Sequence, residues 1–322
     1  MQNNILVSVI ITTYGRSTFL ENAIKSVINQ TYKNIEIIIV DDNALRENIR
    51  KEVKTIVSRY PQCILVTNKT NLGGSLARNE GIKASRGELI SFLDDDDTYF
   101  PTRIEKCVKA YINHKNENIG IIFHHSQSVT IDGNKLGEHI NLLEKNPLAQ
   151  LLRISCIAAT SQWIVPRYSF EQVGMFEDTP CKQDSIMMLK IIGGGLKPLC
   201  VNEILSNYTV HQQGKISGNP QRNIAGITNY HNWAKKYYLQ LQPTEIKDAE
   251  CRFAKDLITN HSMLNQRKEA ITQYKILLKC NPPSITMILA ALQIALGSTY
   301  FNIFQAIRFI GSPIKHLIKK LL

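Results

Sequence analysis

Four consecutive carboxylates, Asp94, Asp95, Asp96 and Asp97, follow the apolar run 89–93. Like charges this close repel, and each raises the proton affinity of its neighbours unless a cation sits among them. Carboxylate oxygens suit Mg²⁺ or Mn²⁺, and Mg²⁺ takes one or two carboxylates together with substrate phosphates. The run therefore reads as a metal and diphosphate grip, with an exposed acidic loop or a Ca²⁺ site as the plainer alternatives. Asp41 and Asp42 close a second apolar run, 35–40. A carboxylate there accepts hydrogen bonds from a base or a ribose hydroxyl, and Asp-Asp-Asn is equally good turn chemistry. Residues 71–79 set a Gly73–Gly74 turn before a helix carrying Arg78. That turn resembles a phosphate cradle but lacks the P-loop lysine and the full dinucleotide-binding glycine pattern. Asp184 ends a loop-to-helix stretch that begins at Glu177. A carboxylate there is either a helix cap or a general base. His124, His125, Trp163 and His211 stand singly, as candidates for acceptor-side or metal-side contacts against the commoner packing or surface role.

These groups sit at the ends of a repeating pattern. Runs 6–11, 35–40, 64–67 and 89–93 are short, apolar and rich in β-branched residues, as buried parallel strands are. Between them, residues 19–29, 49–59 and 76–84 have helical spacing, the first with Leu20, Ala23, Ile24, Val27 and Ile28 on one face. Strand, helix, strand at this spacing predicts βαβ units and a parallel sheet. Ligands bind outside the carboxyl ends of such strands. Thr12, Thr13 and Tyr14, then Asp41 and Asp42, then the four aspartates all follow strand ends. Three strands thus deliver polar groups to one edge of one sheet. Farther on, 120–123 and 163–165 read as strands, and 184–192 as a helix closed by Gly193, Gly194 and Gly195.

The chain has 322 residues, room for one large domain and a smaller second unit, expected over 1–220 and 221–322. Hydrophobic residues at 43 % and charged residues at 20 % exclude a disordered chain. The formal charge of +11 favours anionic partners. The basic residues are scattered with no aromatic-interleaved motif, so nucleic acid is not an expected partner. Seven cysteines, an odd number with no Cys-x-x-Cys spacing, read as reduced thiols of a cytoplasmic protein. The N-terminal residues lack the pattern of a signal peptide. From about residue 227 the sequence is helical, and 284–307 contains no charge. Arg308, Lys315, His316, Lys319 and Lys320 follow, with no acid after Glu269. A bilayer span needs roughly 20 apolar residues. Here Gln293, Gly297, Ser298, Asn302 and Gln305 interrupt the run. The expectation is two short amphipathic helices, broken near Gly297, lying on an anionic membrane surface. Packing against the rest of the chain and a true span are the alternatives.

Four ordered stretches carry a resemblance: Val7-Ser-Val-Ile-Ile-Thr-Thr-Tyr-Gly-Arg16, Gln30 to Asp42, Asn71 to Gly81, and Gly87 to Asp97. In this order and spacing the chain resembles glycosyltransferase family 2 over roughly 5–215. The resemblance implies an α/β fold of the GT-A type, a nucleotide-sugar donor such as a UDP-sugar, and a divalent metal, Mg²⁺ or Mn²⁺. Thr12, Tyr14 and Asp42 would hold the nucleoside, and Arg78 would lie near the nucleotide or diphosphate. Asp94 and Asp96 would be the outer members of the Asp-x-Asp element, with Asp95 between them on the donor. Asp96 would be the metal ligand, with His211 on the metal side. Val210-His211 with Ser217 resembles the family's loop over the diphosphate. The family's Glu-Asp signature stands here as Gln183-Asp184, which would make Asp184 the base of an inverting transfer. Gly15 stands where Asn is common. The acceptor expected is a glycan or lipid-linked glycan of surface polysaccharide synthesis, and the sugar a hexose or an N-acetylhexosamine. Two rivals remain at this stage. Asp94-x-Asp96-x-Thr98 fits a haloacid-dehalogenase-type phosphatase, and the charge-free tail fits a catalytically inactive membrane scaffold.

Overall fold

β-branched residues keep their side chains clear of an extended backbone and pack well on a pleated surface. The apolar runs accordingly form strands, and the computed structural model describes residues 4–211 and 219–302. The first half alternates as expected: β1 (Val7–Thr13), α1 (Ser17–Ile28), β2 (Ile35–Asp41), α2 (Glu47–Val57), β3 (Cys63–Thr67), α3 (Gly73–Ala84) and β4 (Leu89–Asp94). Next come β5 (Thr98–Tyr99), α4 (Arg103–Asn113), β6 (Ile119–Val129), β7 (Lys135–His139) and α5 (Pro147–Ile154). The series then runs through β8 (Trp163–Pro166), α6 (Arg167–Val173), α7 (Gln183–Gly193) and β9 (Lys197–Thr209).

The strands make one mixed sheet in the order β3-β2-β1-β4-β8-β6-β9-β5, with β7 paired to β6. β1 to β4 run parallel, and β8 lies antiparallel between β4 and β6. Register sets Thr12 opposite both Val40 and Asp94, and Thr13 opposite Asp41. The carboxyl ends of β1, β2 and β4 therefore share one edge. Val9, Ile11, Leu20, Ile24, Ile39 and Leu93 are fully buried in the core between this sheet and its helices. The backbones approach closely at two glycines. A Cβ on Gly81 would meet Ile10 Cγ2 at 2.4 Å, and one on Gly87 would meet the Ser8 amide at 2.6 Å.

The second half departs from the sequence expectation. The strand expected at 120–123 is the start of the eleven-residue β6, and β9, which carries no alternating or continuous apolar signal, was not expected. Its partners hold it: β6 pairs with β9 along most of both strands.

By compactness the chain divides into Met1–Thr179 with Gln183–Gly214, and Pro180–Lys182 with Lys215–Leu322. The second unit is helical: α8 (Pro220–Lys235), α9 (Pro243–Met263), α10 (Arg267–Lys279) and α11 (Ser284–Leu296). Ala254, Ile258, Leu277 and Ala290 form a small core joining α9, α10 and α11. At Gly297 the backbone takes φ +55° and α11 ends, where the sequence reading puts its break. Among the described residues no helix is long and apolar enough to cross a membrane. Ser217, residues 303–307 of the charge-free stretch and the basic residues that follow it lie outside the described residues.

Candidate active site

Each strand end supplies part of the site. At the end of β1, Thr12 is half-buried and Tyr14 is exposed, with the Arg46 guanidinium 4.3 Å over the Tyr14 ring. Gly15, at φ +77°, donates its amide to Asn43 Oδ1 at 2.7 Å, tying the first turn to the second. At the end of β2, Asp42 is buried. Its Oδ1 accepts from Asn68 Nδ2 at 2.8 Å and the Leu72 amide at 2.9 Å. Its Oδ2 accepts from Asn71 Nδ2 at 3.0 Å and the Gly73 amide at 2.9 Å. A carboxylate has about four lone-pair sites. Asp42 thus spends them on the loop leading into α3, while the local Asp-Asp-Asn turn is closed by Asp41, whose Oδ1 accepts from the Asn43 amide at 3.0 Å.

The four aspartates diverge in what they face. Asp94 Oδ1 accepts from Arg78 Nη2 at 2.6 Å. Asp95 turns to Arg16, whose Nη2 lies 2.7 Å from its Oδ1. Burial pushes the Asp95 carboxyl up to about 7 against the pull of Arg16. Asp96 Oδ2 is met by Arg16 Nη1 at 2.5 Å and by His211 Nε2 at 2.6 Å. Asp97 is buried and accepts from the Thr209 amide at 3.1 Å. Burial, then Asp96 and Asp94, hold its carboxyl well above the usual carboxylate range. Oxygens of Asp94, Asp96 and Asp97 lie within 4.8 Å of one another. The sequence reading puts Asp96 and His211 on the metal side; the oxygens crowded together are those of Asp94, Asp96 and Asp97, and His211 Nε2 adjoins them through Asp96. The His211 ring stacks on Phe19 at 5.5 Å.

These residues fit a divalent cation and a diphosphate on two counts. Three crowded carboxylates, one of them buried and held toward its protonated form, are the arrangement that a cation relieves. Arg78 is buried, and its Nη1 is without a hydrogen-bond partner among the described residues. A buried guanidinium N–H left open is costly unless a ligand completes it.

Asp184 stands in the first turn of α7, where its Oδ1 accepts from the Ser185 amide at 2.7 Å. It lines a cavity of about 330 Å³ together with Asp97, Ser126, His139, Gln162 and Tyr208. Asp97 of the acidic run and Asp184 therefore share one cavity. His139 meets the Tyr208 ring edge-on at 6.2 Å. Gln183 accepts from Ser75 Oγ at 3.1 Å, tying α7 to the start of α3.

The single histidines and tryptophan resolve into architecture. His124 is fully buried, takes a hydrogen bond from Arg103 Nε at 3.0 Å, and is held well below its usual range by burial and then by Arg103. His125 pairs with Asn202 Oδ1 at 2.6 Å. Trp163 donates to the Ala158 carbonyl at 2.9 Å. None of the three touches the acidic run, whereas His211 does. Sequence reasoning missed Arg16, two residues past Tyr14, because its partners lie 79 and 80 positions away. It also left Asp97 as a neighbour, although Asp97 is the aspartate that reaches the cavity.

With the geometry in place, comparison with known proteins names the class. The family model "Glycosyl transferase family 2" matches residues 8–174, more than half of the chain, and the chain belongs to that family. An uncharacterized glycosyltransferase of Rickettsia conorii is 32 % identical over 247 residues, 74 % of this chain and 40 % of the relative. The chain thus spans about two fifths of that relative. A putative colanic acid biosynthesis glycosyl transferase, WcaA of Escherichia coli K12, is 25 % identical over 74 % of this chain and 83 % of its own. Among solved structures, residues 1–349 of S. aureus TarS in complex with UDP-GlcNAc superpose with a TM-score of 0.57 at 13 % identity, covering 85 % of this chain and 90 % of that fragment. A mannosyltransferase from Pyrobaculum calidifontis, in complex with GDP-Man and Mn²⁺, gives 0.54 at 16 % identity, covering 92 % and 88 %. These likenesses establish the GT-A fold, a mixed sheet flanked by helices with a helical C-terminal region. The family assignment displaces the phosphatase reading.

Proposed function

We propose that this chain transfers a hexose or N-acetylhexosamine from a nucleotide-sugar, a UDP-sugar, to a hydroxyl of a glycan or lipid-linked glycan, with inversion, in surface polysaccharide synthesis. The observation that carries the reading is the cavity lined by both Asp97 of the acidic run and Asp184. The UDP-GlcNAc bound by TarS and the place of WcaA in colanic acid biosynthesis support the donor and the product class. Thr12 and Tyr14 are assigned to the nucleoside, with Asp42 shaping the loop beside it. Asp94, Asp96 and Asp97 would hold Mg²⁺ or Mn²⁺, which supplies charge neutralisation on the leaving diphosphate. Arg78 Nη1 donates to that diphosphate in a site already aimed at developing charge. Asp184 takes the proton of the acceptor hydroxyl, whose oxygen bonds to the anomeric carbon as the bond to the diphosphate breaks. Gln162, Ser126 and His139 on the cavity wall orient the acceptor.

The test is a thermal-shift screen of nucleotide sugars with and without Mn²⁺, followed by release of the nucleoside diphosphate. A UDP-sugar raises Tm in the presence of Mn²⁺, because a ligand that binds only the folded state stabilises it by mass action. No shift with any nucleotide sugar, and no diphosphate released, overturns the reading.

A further inference from the structure

Helix α11 carries no charged residue in its thirteen positions. One face is spent on packing: Ala290 is buried against Ala254, Ile258 and Leu277, with Met287 and Ile294 beside it. The other face stands open. Ile285 is 45 % exposed, Ile288 55 %, Leu292 43 % and Leu296 43 %. Steps of three, four and four residues put these side chains on one stripe along the helix. Four large aliphatic side chains aligned in water are more than the scattered apolar residues an ordinary surface shows.

Charge tells what covers the stripe. After Glu269 the sequence holds no acid and six cations: Lys275, Lys279, Arg308, Lys315, Lys319 and Lys320. Lys275 and Lys279 are exposed on α10 and flank the exposed Leu278. A second copy packed by a two-fold axis would bring these cations toward their own likenesses. An anionic lipid surface meets them with opposite charge and offers hydrocarbon to the stripe. Thirteen residues rise about 20 Å, short of the roughly 30 Å of a bilayer core, and α11 stops at Gly297. The helix is built to lie in the interface. We propose that the Ile285–Ile288–Leu292–Leu296 stripe of α11 is a docking surface for an anionic phospholipid membrane, with the cations of the sequence after Glu269 supplying the electrostatic attraction.

The full chain is sedimented with phosphatidylcholine vesicles that do or do not contain about a quarter phosphatidylglycerol. It partitions onto the anionic vesicles, and added salt weakens the binding. Ile288→Glu with Leu292→Glu lowers partitioning about tenfold or more while circular dichroism is unchanged, since both sites are exposed. Leu292→Trp, a milder change at the same site, shifts its emission to the blue on anionic vesicles. Equal binding to neutral vesicles, no binding, or undiminished binding by the double variant overturns the proposal. So does a light-scattering dimer that the double variant dissolves, which would make a second copy the occupant.

Discussion

Replacing Asp184 by Asn separates the proposed proton transfer from everything else the residue does. Asn keeps the size of Asp and an oxygen for the Ser185 amide, which Asp184 now holds at 2.7 Å. The loss to the fold is the charge at the start of α7, worth about 0.3–1 kcal/mol near a helix N-terminus. Stability therefore falls by less than about 1 kcal/mol. Chemistry loses its base. General-base catalysis contributes roughly 10²–10⁴ in rate, or about 3–5 kcal/mol of barrier. The assay is steady-state sugar transfer alongside calorimetry of the UDP-sugar. The expected result is kcat down at least a hundredfold, with donor affinity and KM for the donor within about twofold. A kcat within tenfold of the parent, or a tenfold loss of donor affinity, refutes the assignment: the first because no proton would be moving to this carboxylate, the second because Asp184 would be holding donor.

Arg78→Met removes the guanidinium that holds Asp94 at 2.6 Å and the open Nη1 beside it; kcat/KM for the donor falls about 10²–10³, and an unchanged value in the transfer assay would dismiss the diphosphate role. Gly87→Ala sets a Cβ 2.5 Å from Ser8 Oγ and 2.6 Å from the Ser8 amide, so urea unfolding shows a loss of about 3 kcal/mol. Glu36 is partly pushed up by burial, yet hydrogen bonds from Ser8 Oγ and the Arg86 amide win and hold its carboxyl below the usual 4.5. A folded pKa below the unfolded one gives stability that is present above pH 4.5 and lost as pH falls through the folded value. Glu36→Gln therefore lowers stability at neutral pH and flattens the acid limb of the stability profile, read by thermal melts across that range. Chelation of divalent ions abolishes transfer, and Asp97→Asn weakens Mn²⁺ binding in a titration without nucleotide.

The first half of the sheet was legible because its signal is local. The runs at β1, β2 and β4 are buried on both faces, so continuous apolar sequence marks them, and the polar groups that follow mark the ligand edge. The second half was not. In β9, Lys197-Pro-Leu-Cys-Val-Asn-Glu-Ile carries no period, and pairing with β6 makes it a strand. The site divides the same way. Asp94, Arg78 and Asp184 stand in motifs whose types reveal them. Arg16 shows its role only when the sheet brings Asp95 and Asp96 beside it, and Asp42 looks like an open carboxylate until the loop after β3 fills its oxygens.

The acidic run is closed by bonds of long reach. Asp97 takes the amide of a residue 112 positions later, and Asp96 meets a histidine 115 positions later. Bringing such distant segments together costs chain entropy that nearer pairings do not. During vectorial synthesis the first four strands emerge with four aspartates and only Arg16 and Arg78 to meet them. The later strand that caps Asp97, and the histidine that leans on Asp96, arrive last. A chain cut short before residue 209 can build its parallel sheet and still lack the closed site. A closed acidic run is in this way a report that the chain has been made through His211.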